Sequence, residues 1–379
     1  MPISVGDVLN LAEAWPTRRD NMARTLPEIR KSGTEWQISR EEFMKRYHEN
    51  FFDPYFDAHR DKIDTLADVA YRAYQEGRKA PKTEKAGENY QDSEYELSVE
   101  WIKAKAAIEA AEKAHESEAT RVLLINASHR NDHTCPGEIS KSSRLFEMAK
   151  DTFAEEGVDV DILDLSQLTS EFGKKIYPCK ACVSTAMPLC HWPCSCYPNH
   201  YLGQVQDWMN EIYPKWVAAH GIMIIAPVYW HQSPSALKLM MDRLVCADGG
   251  NPDPTSTQGK NVELAKKLEL EGWDYPRHLK GRCFSVVVHG DTMGVDDAKK
   301  TLCDWLEEME LISVGNYGTI GRYIGYFGPY ASSHEALDQD RPIQQEVRNA
   351  ARNLTLALRS SRENKFSSLT PELPDPRPK

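Results

Sequence analysis

The pattern of hydrophobic and polar positions divides the chain into two parts. Residues 1–120 contain no run rich in valine and isoleucine, and the stretches Glu41–Phe51, Lys62–Glu76 and Glu94–Glu118 have the composition of solvated helices. A polar break at Gly77–Asp92 separates the last two stretches. We therefore predict a mostly helical N-terminal extension, which packs through its aromatic residues onto the main domain or a partner subunit.

From Arg121 onward, short apolar runs alternate with segments of helical periodicity. Continuous apolar runs bounded by polar turns are typical of strands buried in a parallel sheet. Five such runs occur, at Val122–Ala127, Val158–Leu163, Gly221–Ala226, Cys283–His289 and Leu311–Ile320. Helices are predicted at Ser142–Glu156, Gly203–Ala219, Pro234–Val245, Val295–Glu310 and Ile343–Ser360, with a polar insertion at Asp248–His278. The alternation predicts an α/β domain at residues 121–362, built as a doubly wound open sheet.

The end of the chain has a different composition. Residues Glu363–Lys379 are polar and carry four prolines, which predicts a disordered tail.

Doubly wound sheets bind ligands beside the carboxyl ends of their strands. The loop after the first predicted strand carries Ser128 and Arg130, and the next helix opens with Lys141, Ser142 and Ser143. Hydroxyl groups and cations at a helix N-terminus suit a phosphate, and an arginine can clamp it with two parallel hydrogen bonds. This set favours a phosphate site; the alternative is that Ser142 only caps the helix.

Two further loops lie at the same predicted edge of the sheet. Their candidate residues are Pro227, Val228, Tyr229 and Trp230 after the third strand, and His289, Gly290, Asp291 and Gly294 after the fourth. Aromatic side chains at this position can lie along a planar heteroaromatic ligand, and glycines let a ligand approach the backbone. Partly buried loop aromatics and a tight turn explain the same residues equally well.

Composition and charge limit the kinds of partner that this chain is expected to bind. The net charge of −11 and the absence of a basic half argue against a sequence-independent nucleic-acid binder. The longest apolar stretch, Ile222–Val228, is too short to span a membrane, and the first residues do not resemble a secretory signal. We therefore expect a cytoplasmic protein whose nine cysteines are kept reduced.

On the loop residues above, the chain resembles the NADPH-dependent FMN reductase branch of flavodoxin-like proteins, and within it the iron–sulfur flavoproteins. The resemblance covers about residues 121–330. Its most specific part is Ala219–Arg243, where P-V-Y-W is followed by L-K-x-x-x-D-R. The first loop is similar to the phosphate loop of that family, but it carries an insertion at His133–Glu138 and has Lys141 where an asparagine is usual.

The resemblance implies a flavodoxin-like five-stranded sheet in the order 2-1-3-4-5 and a bound FMN. Residues of the first loop and the helix after it would hold the phosphate, Pro227–Trp230 would border the isoalloxazine ring, and His289–Gly294 would approach its other side. NAD(P)H is the implied electron donor. A homo-oligomer is also implied, because relatives often complete the flavin pocket with a neighbouring subunit.

Five cysteines fall within eighteen residues, with the spacing C-x2-C-x7-C-x3-C-x-C. They are Cys179, Cys182, Cys190, Cys194 and Cys196. Thiolates bind zinc or iron–sulfur clusters, and a C-x2-C pair suits either. The iron–sulfur flavoproteins carry C-x2-C-x2-C here, whereas this chain has Thr185 at the third place. An iron–sulfur cluster, a zinc ion, a redox-active disulfide and no metal at all therefore stay open.

The resemblance favours an FMN-dependent NAD(P)H oxidoreductase that reduces a quinone or a similar small electron acceptor in a ping-pong cycle. A non-enzymatic flavodoxin-type electron carrier is the first alternative, although such carriers use a T-x-T-G-x-T loop that is missing here. A metal- or redox-sensing protein built on Cys179–Cys196 is the second alternative. No side chain is predicted to act as a dedicated catalytic base.

Overall fold

The computed structural model describes residues 38–75, 82–117, 119–135, 140–197, 206–326, 328 and 333–362. The predicted disordered tail, part of the His133–Glu138 insertion and the start of the helix predicted from Gly203 lie outside these residues. The chain divides into two compact units between Gln75 and Glu76. The domain boundary proposed at residue 120 stays a prediction.

The first unit contains two helices, α1 (Arg40–His48) and α2 (Arg60–Gln75), joined by 3₁₀ turns at Glu49–Phe51 and Pro54–His59. Ser39 caps α1, because its Oγ accepts a hydrogen bond from the N–H of Glu42 at 3.1 Å. The buried ring of Phe43 lies 5.2 Å from the rings of both Tyr71 and Tyr74, measured between centroids. The predicted helical N-terminal extension is therefore confirmed, with aromatic packing between its own two helices.

The second unit opens with an antiparallel hairpin of β1 (Thr83–Lys85) and β2 (Glu96–Ser98), followed by α3 (Val99–Ser117). The prediction of helix from Glu94 was wrong by five residues, since Glu96–Ser98 pairs with β1 and buries Leu97. Strands of three residues are too short to show an alternating pattern, and the Glu and Lys in and around them are also typical of helices.

The main sheet is parallel and has the predicted order. Its strands are β3 (Arg121–Asn126), β4 (Asp159–Asp164), β5 (Gly221–Pro227), β6 (Cys283–Gly290), β7 (Ile312–Ser313) and β8 (Thr319–Tyr323). They follow the order β4-β3-β5-β6, and both β7 and β8 pair with the outer edge of β6. The flavodoxin-like order 2-1-3-4-5 is thus confirmed, with the fifth place shared by two short strands.

The single predicted strand Leu311–Ile320 is wrong in its extent. β7 pairs with Cys283 and Phe284, whereas β8 pairs with Val286–Gly290. The chain turns between them at Gly315, whose φ of +83° lies in the left-handed region that interrupts a strand.

Helices cover both faces of this sheet. After α3 they are α4 (Lys141–Glu155), α5 (Gln167–Ser170), α6 (Met209–Ala218), α7 (Ser235–Leu244), α8 (Val262–Glu271), α9 (Val295–Glu308), α10 (Ser333–Gln339) and α11 (Arg341–Arg362). Every residue of β5 and β6 is buried, as expected for strands with helices on both sides. One core cluster joins the sheet to α3, α6, α7 and α9, and the other joins it to α4 and α11.

The polar insertion Asp248–His278 is not a plain loop, because it contains α8. Asn261 caps this helix by accepting a hydrogen bond from the N–H of Leu264 at 3.1 Å. In the part of the chain that the structure describes, no helix is long and apolar enough to cross a lipid bilayer.

Candidate functional site

The carboxyl ends of three neighbouring strands bring the predicted site loops to one edge of the sheet. β5 pairs in parallel with β3 on one side and with β6 on the other, and Pro227 lies opposite His289. The N–H of Val228 extends this ladder by donating to the carbonyl of His289 at 2.8 Å. The loops that follow the strands therefore begin side by side, where doubly wound sheets bind their ligands.

Asn126, the last residue of β3, organises the first loop. Its Oδ1 accepts a hydrogen bond from the N–H of Ser128 at 3.1 Å. Its Nδ2 lies 3.3 Å from Oγ of Ser143 and 3.2 Å from Oδ1 of Asp164. One buried amide thus joins the loop to α4 and to the end of β4. Asn126 was absent from the predicted site residues, although a polar residue ending an apolar strand was a usable signal.

Ser140 caps α4, and Ser142 has another partner. Oγ of Ser140 accepts a hydrogen bond from the N–H of Ser143 at 3.1 Å and lies 2.9 Å from Oγ of Ser143. Oγ of Ser142 lies 2.7 Å from Nε2 of His289, and both residues are buried. The alternative in which Ser142 only caps the helix is therefore wrong. The first turn of α4 is instead connected to the end of β6.

Lys141, the first residue of α4, lies within electrostatic range of a second cation, Arg130 of the first loop. Lys141 is only 5% exposed. Burial lowers the pKa of Lys141, the carboxylate of Asp291 opposes this change, and the charge of Arg130 lowers the pKa further. The helix N-terminus adds partial positive charge. This donor set fits a phosphate dianion, whose charge would offset the repulsion between the two cations.

His289 adds no third positive charge to this group. Burial, reinforced by the charge of Lys141, lowers the pKa of His289 to about 3. The imidazole is therefore neutral near pH 7, and its contact with Ser142 is a hydrogen bond between uncharged side chains.

Tyr229–Gln232 forms a tight turn that holds an aromatic side chain in solvent. The N–H of Tyr229 donates to the carbonyl of Gln232 at 2.9 Å, and the N–H of Gln232 donates back at 3.0 Å. The two central residues, Trp230 and His231, have φ of +49° and +66°. Two consecutive positive φ values are typical of a type I′ turn, which usually employs glycine or asparagine. Trp230 is 93% exposed, so this strained turn presents a free indole at the edge of the sheet.

Gly294 lets the loop after β6 touch this turn. Its φ is +102°, and a Cβ at this position would lie 2.6 Å from Cα of His231. The glycine is thus explained by close approach of two backbones as well as by its own conformation. The packing around Gly290 is less tight, because a Cβ there would lie 3.2 Å from Cβ of Val228.

His129 is a second residue of the site that was not predicted. Its Nε2 accepts a hydrogen bond from the N–H of Ala236 at 3.0 Å, and its ring lies 5.4 Å from the ring of Tyr229 in a T-shaped arrangement. Burial lowers the pKa of His129, which favours the neutral ring that can accept this bond. His129 therefore ties the first loop to the N-terminus of α7 and to the aromatic turn.

The cysteine loop brings several thiols together. Sγ of Cys182 lies 3.4 Å from Sγ of Cys196, and Cys196 also shares a hydrogen bond with Cys194. Cys190 instead shares a hydrogen bond with the thiol of Cys246. Cys246 lies just beyond α7 and was not among the predicted ligands. Within the described ranges, no three His, Cys, Asp or Glu side chains are arranged to hold a metal ion.

Lys260 lies beside these thiols. Its Nζ is 3.6 Å from Sγ of Cys182 and also donates to the carbonyl of Leu189. The hydrogen bond with Cys196 and, to a smaller extent, Lys260 together lower the pKa of Cys182 to about 5, against the opposing effect of burial. The pKa of Cys196 is raised, because its thiol donates to its neighbours.

Part of this chain is similar in sequence to a known protein. A curated iron-sulfur flavoprotein from Methanosarcina thermophila is 32% identical over 125 residues, which cover 33% of this chain and 52% of that protein. The chain thus spans about half the length of this relative.

Solved structures resemble the chain more distantly. An FMN-dependent NADH-azoreductase from Bacillus anthracis str. Ames Ancestor is 17% identical, with a TM-score of 0.37, over 62% of this chain and 99% of that chain. An NAD(P)H:quinone oxidoreductase from Methanothermobacter marburgensis is 14% identical, with a TM-score of 0.33, over 66% of this chain and 98% of that chain.

A family comparison covers the greater part of the chain. The match extends over residues 120–324, from the start of β3 to just beyond β8, and so includes all three loops of the candidate site. The chain belongs to the family of NADPH-dependent FMN reductases.

Proposed function

We propose that this chain binds FMN at the carboxyl edge of its sheet and catalyses electron transfer from NAD(P)H to a quinone or a similar small acceptor. The observation that carries the proposal is the proximity of Arg130, in the first loop, to Lys141, the first residue of α4. Family membership supports the same cofactor.

The first loop and α4 supply the groups that would hold the phosphate. Arg130 and Lys141 offer charged donors, and the first turn of α4 offers backbone N–H groups. Ser128 and Ser143 contribute hydroxyl groups that are now bonded within the loop and cap. In this proposal Ser142 acts on the site indirectly, because its hydroxyl contacts His289.

The two other loops would position the ring system. Val228 and Gly290 are close-packed neighbours, and Gly294 touches the backbone of His231 in the turn that carries Trp230. When bound there, FMN would supply the hydride acceptor and the two-electron donor of the reaction. The residues of the chain bind and orient reactants, and no side chain among the predicted site residues needs to act as a base.

A ping-pong cycle is consistent with this arrangement. We infer that NAD(P)H and the acceptor are used in turn at the same open face, which is bordered by the turn at Trp230. The acceptor then needs access to that face, and a planar acceptor can in addition stack on the indole of Trp230.

The test is to load the full chain with FMN and to follow NAD(P)H oxidation with and without a quinone. Arg130→Gln should weaken FMN binding about tenfold or more, because a charge-assisted hydrogen bond contributes about 1.5–3 kcal/mol. Lys267→Gln, which removes an exposed cation on α8, is the matched control and should bind FMN like the wild type.

Two outcomes would contradict the proposal. Equal FMN affinity in the Arg130 and Lys267 variants would remove the phosphate assignment. Tight FMN binding without steady-state NAD(P)H oxidation would instead support a non-enzymatic electron carrier.

A further inference from the structure

We infer that Cys182 and Cys196 form a redox-active dithiol that exchanges with low-molecular-weight disulfides. This inference does not rest on the proposed FMN site. The geometry of the thiols, their exposure and the cation beside them all favour this exchange.

The two sulfurs are already in contact. They lie 3.4 Å apart. A disulfide bond is about 2.05 Å long, so closure requires the sulfurs to approach by only about 1.4 Å. Both residues are partly exposed, whereas Cys190, Cys246 and Cys283 are buried. A small reagent can therefore reach this pair before it reaches the buried thiols.

The surroundings hold Cys182 in place. Its side chain packs against a small cluster formed by Ala186, Leu189 and Ala265, which joins the cysteine loop to α8. Thr185 follows the 3₁₀ turn Cys182–Ser184, and its N–H donates to the carbonyl of Cys182 at 3.2 Å. The thiol is thus positioned by both packing and backbone hydrogen bonding.

Lys260 provides the charge that thiol exchange needs. Its ammonium lies 3.6 Å from Sγ of Cys182. No carboxylate forms an ion pair with Lys260 among the residues that the structure describes. A cation at this distance stabilises a thiolate, which is the nucleophile in thiol–disulfide exchange.

The exchange proceeds in two balanced steps. Cys182, as its thiolate, attacks one sulfur of a disulfide RSSR, so that a Cys182–SR mixed disulfide forms and RS⁻ leaves. Cys196 then loses its proton and attacks Sγ of Cys182, which forms the Cys182–Cys196 disulfide and releases the second RS⁻. Counted from the Cys182 thiolate and the Cys196 thiol, the protein loses two electrons and one proton, and RSSR becomes two RSH by taking up that proton and one more from water. An excess of a small dithiol reverses both steps.

The experiment uses the full chain, purified anaerobically in reduced form and treated with glutathione disulfide. We expect two protein thiols to be lost and two glutathione molecules to be released per chain, with a Cys182–Cys196 disulfide in the peptide map. Cys196→Ser should stop at a glutathione adduct on Cys182. Cys303→Ser, which removes another partly exposed thiol, is the matched control and should retain the full reaction.

Lys260→Gln gives a second readout that does not require removing a thiol. Loss of the ammonium should slow formation of the disulfide about threefold or more, while the same bond still forms. Near-UV circular dichroism identical to that of the wild type would show that the variant is folded.

Three results would overturn the inference. A disulfide that maps to another pair, such as Cys194–Cys196, would assign the exchange elsewhere. Reaction of Cys182 no faster than that of Cys303 would remove the special reactivity. Stoichiometric iron or zinc that protects the thiols and is lost in Cys182→Ser would make the cluster a metal site.

Discussion

The hydroxyl of Ser142 lies 2.7 Å from Nε2 of His289, and this contact joins the first turn of α4 to the end of β6. The two residues are 147 positions apart in the chain, and both are buried. This hydrogen bond links the loop proposed to hold the phosphate to the loop proposed to approach the flavin ring. A change in either residue is therefore expected to act on both loops.

Acid should destabilise the protein through His289. The unfolded imidazole takes up a proton near pH 6.5, whereas the folded one does so only near pH 3. The stability that the neutral ring contributes is complete above pH 6.5 and is lost as the pH falls towards 3. The free energy of unfolding should fall by up to about 1.4 kcal/mol per pH unit from this group.

Urea unfolding of the wild type and of His289→Gln at pH 7.5, 6.0 and 5.0 measures this contribution. Glutamine keeps a hydrogen-bonding side chain near Ser142 but does not titrate, so the variant should show a smaller loss of stability with acid. If the unfolding free energy fell equally steeply with pH in the two proteins, His289 would not be the titrating group. Other buried histidines, such as His191, add equally to both slopes.

Gly294→Ala should disrupt the contact between the two loops. An alanine there would meet Cα of His231 at 2.6 Å in addition to adopting an unfavourable φ of +102°. Gly157→Ala is the control, because Gly157 has a φ of +68° but nothing within 4 Å of an added Cβ.

We expect Gly294→Ala to cost about 1–3 kcal/mol more than the control in unfolding free energy and to weaken FMN binding. Chemical denaturation and FMN titration provide the two measurements. Similar losses for both variants would mean that backbone conformation alone requires the glycine.

Trp230→Ala should alter the use of aromatic acceptors without altering stability. The indole is 93% exposed, so its removal should change the unfolding free energy by less than about 0.5 kcal/mol. Stacking on a planar acceptor is expected to contribute about 0.5–1.5 kcal/mol, which corresponds to a roughly twofold to tenfold rise in KM for a quinone.

Trp230→Phe should keep most of this effect, because the ring is retained. Ferricyanide, a non-planar acceptor, should be reduced at similar rates by the wild type and both variants. A KM for quinone that is unchanged in Trp230→Ala would show that the indole does not contact the acceptor.

Arg243 has a structural role even though it lies in the motif that carries the family resemblance. Its guanidinium pairs with Asp207, and the side chains are 1% and 0% exposed. It also donates to the carbonyl of Tyr177 at 2.9 Å and lies over the ring of Tyr197. Asp207→Asn leaves the buried cation without its counter-charge and should cost about 3–5 kcal/mol.

Thermal and urea unfolding test this prediction. The double change Arg243→Met with Asp207→Leu should recover much of the loss, because it removes both charges and keeps apolar volume. If Asp207→Asn alone leaves the unfolding free energy unchanged, the Asp207 carboxylate does not neutralise the charge of Arg243.

The central strands could be predicted because each is a continuous apolar run between polar turns. β5 and β6 are buried along their whole length, so their pattern is free of competing signals. The hairpin of β1 and β2 lacked any such signal, and the break between β7 and β8 depends on a local turn at Gly315. Short elements of this kind are fixed by tertiary contacts more than by local pattern.

The candidate site was predictable in its loops but not in its hydrogen bonds. Strand ends and family motifs brought out Arg130, Lys141 and the aromatic turn. The pairing of Ser142 with His289 and the position of Lys260 beside Cys182 depend on which distant segments fold together. A single sequence carries no direct signal for such contacts.

The contacts of residues 82–117 determine where the chain can be shortened. The indole Nε1 of Trp101 donates to the carbonyl of Pro193 in the cysteine loop at 2.8 Å, and Ile108 is buried in the core beside α6. The N–H of Gln91 donates to Oδ2 of Asp253 at 2.9 Å. Although family similarity starts at residue 120, a fragment trimmed to that point would lose one side of its own interior. Truncation and limited proteolysis should therefore show that the smallest stable fragment begins upstream of residue 82. When residues 82–117 are removed, the cysteine loop should be the first region to become susceptible to proteolysis.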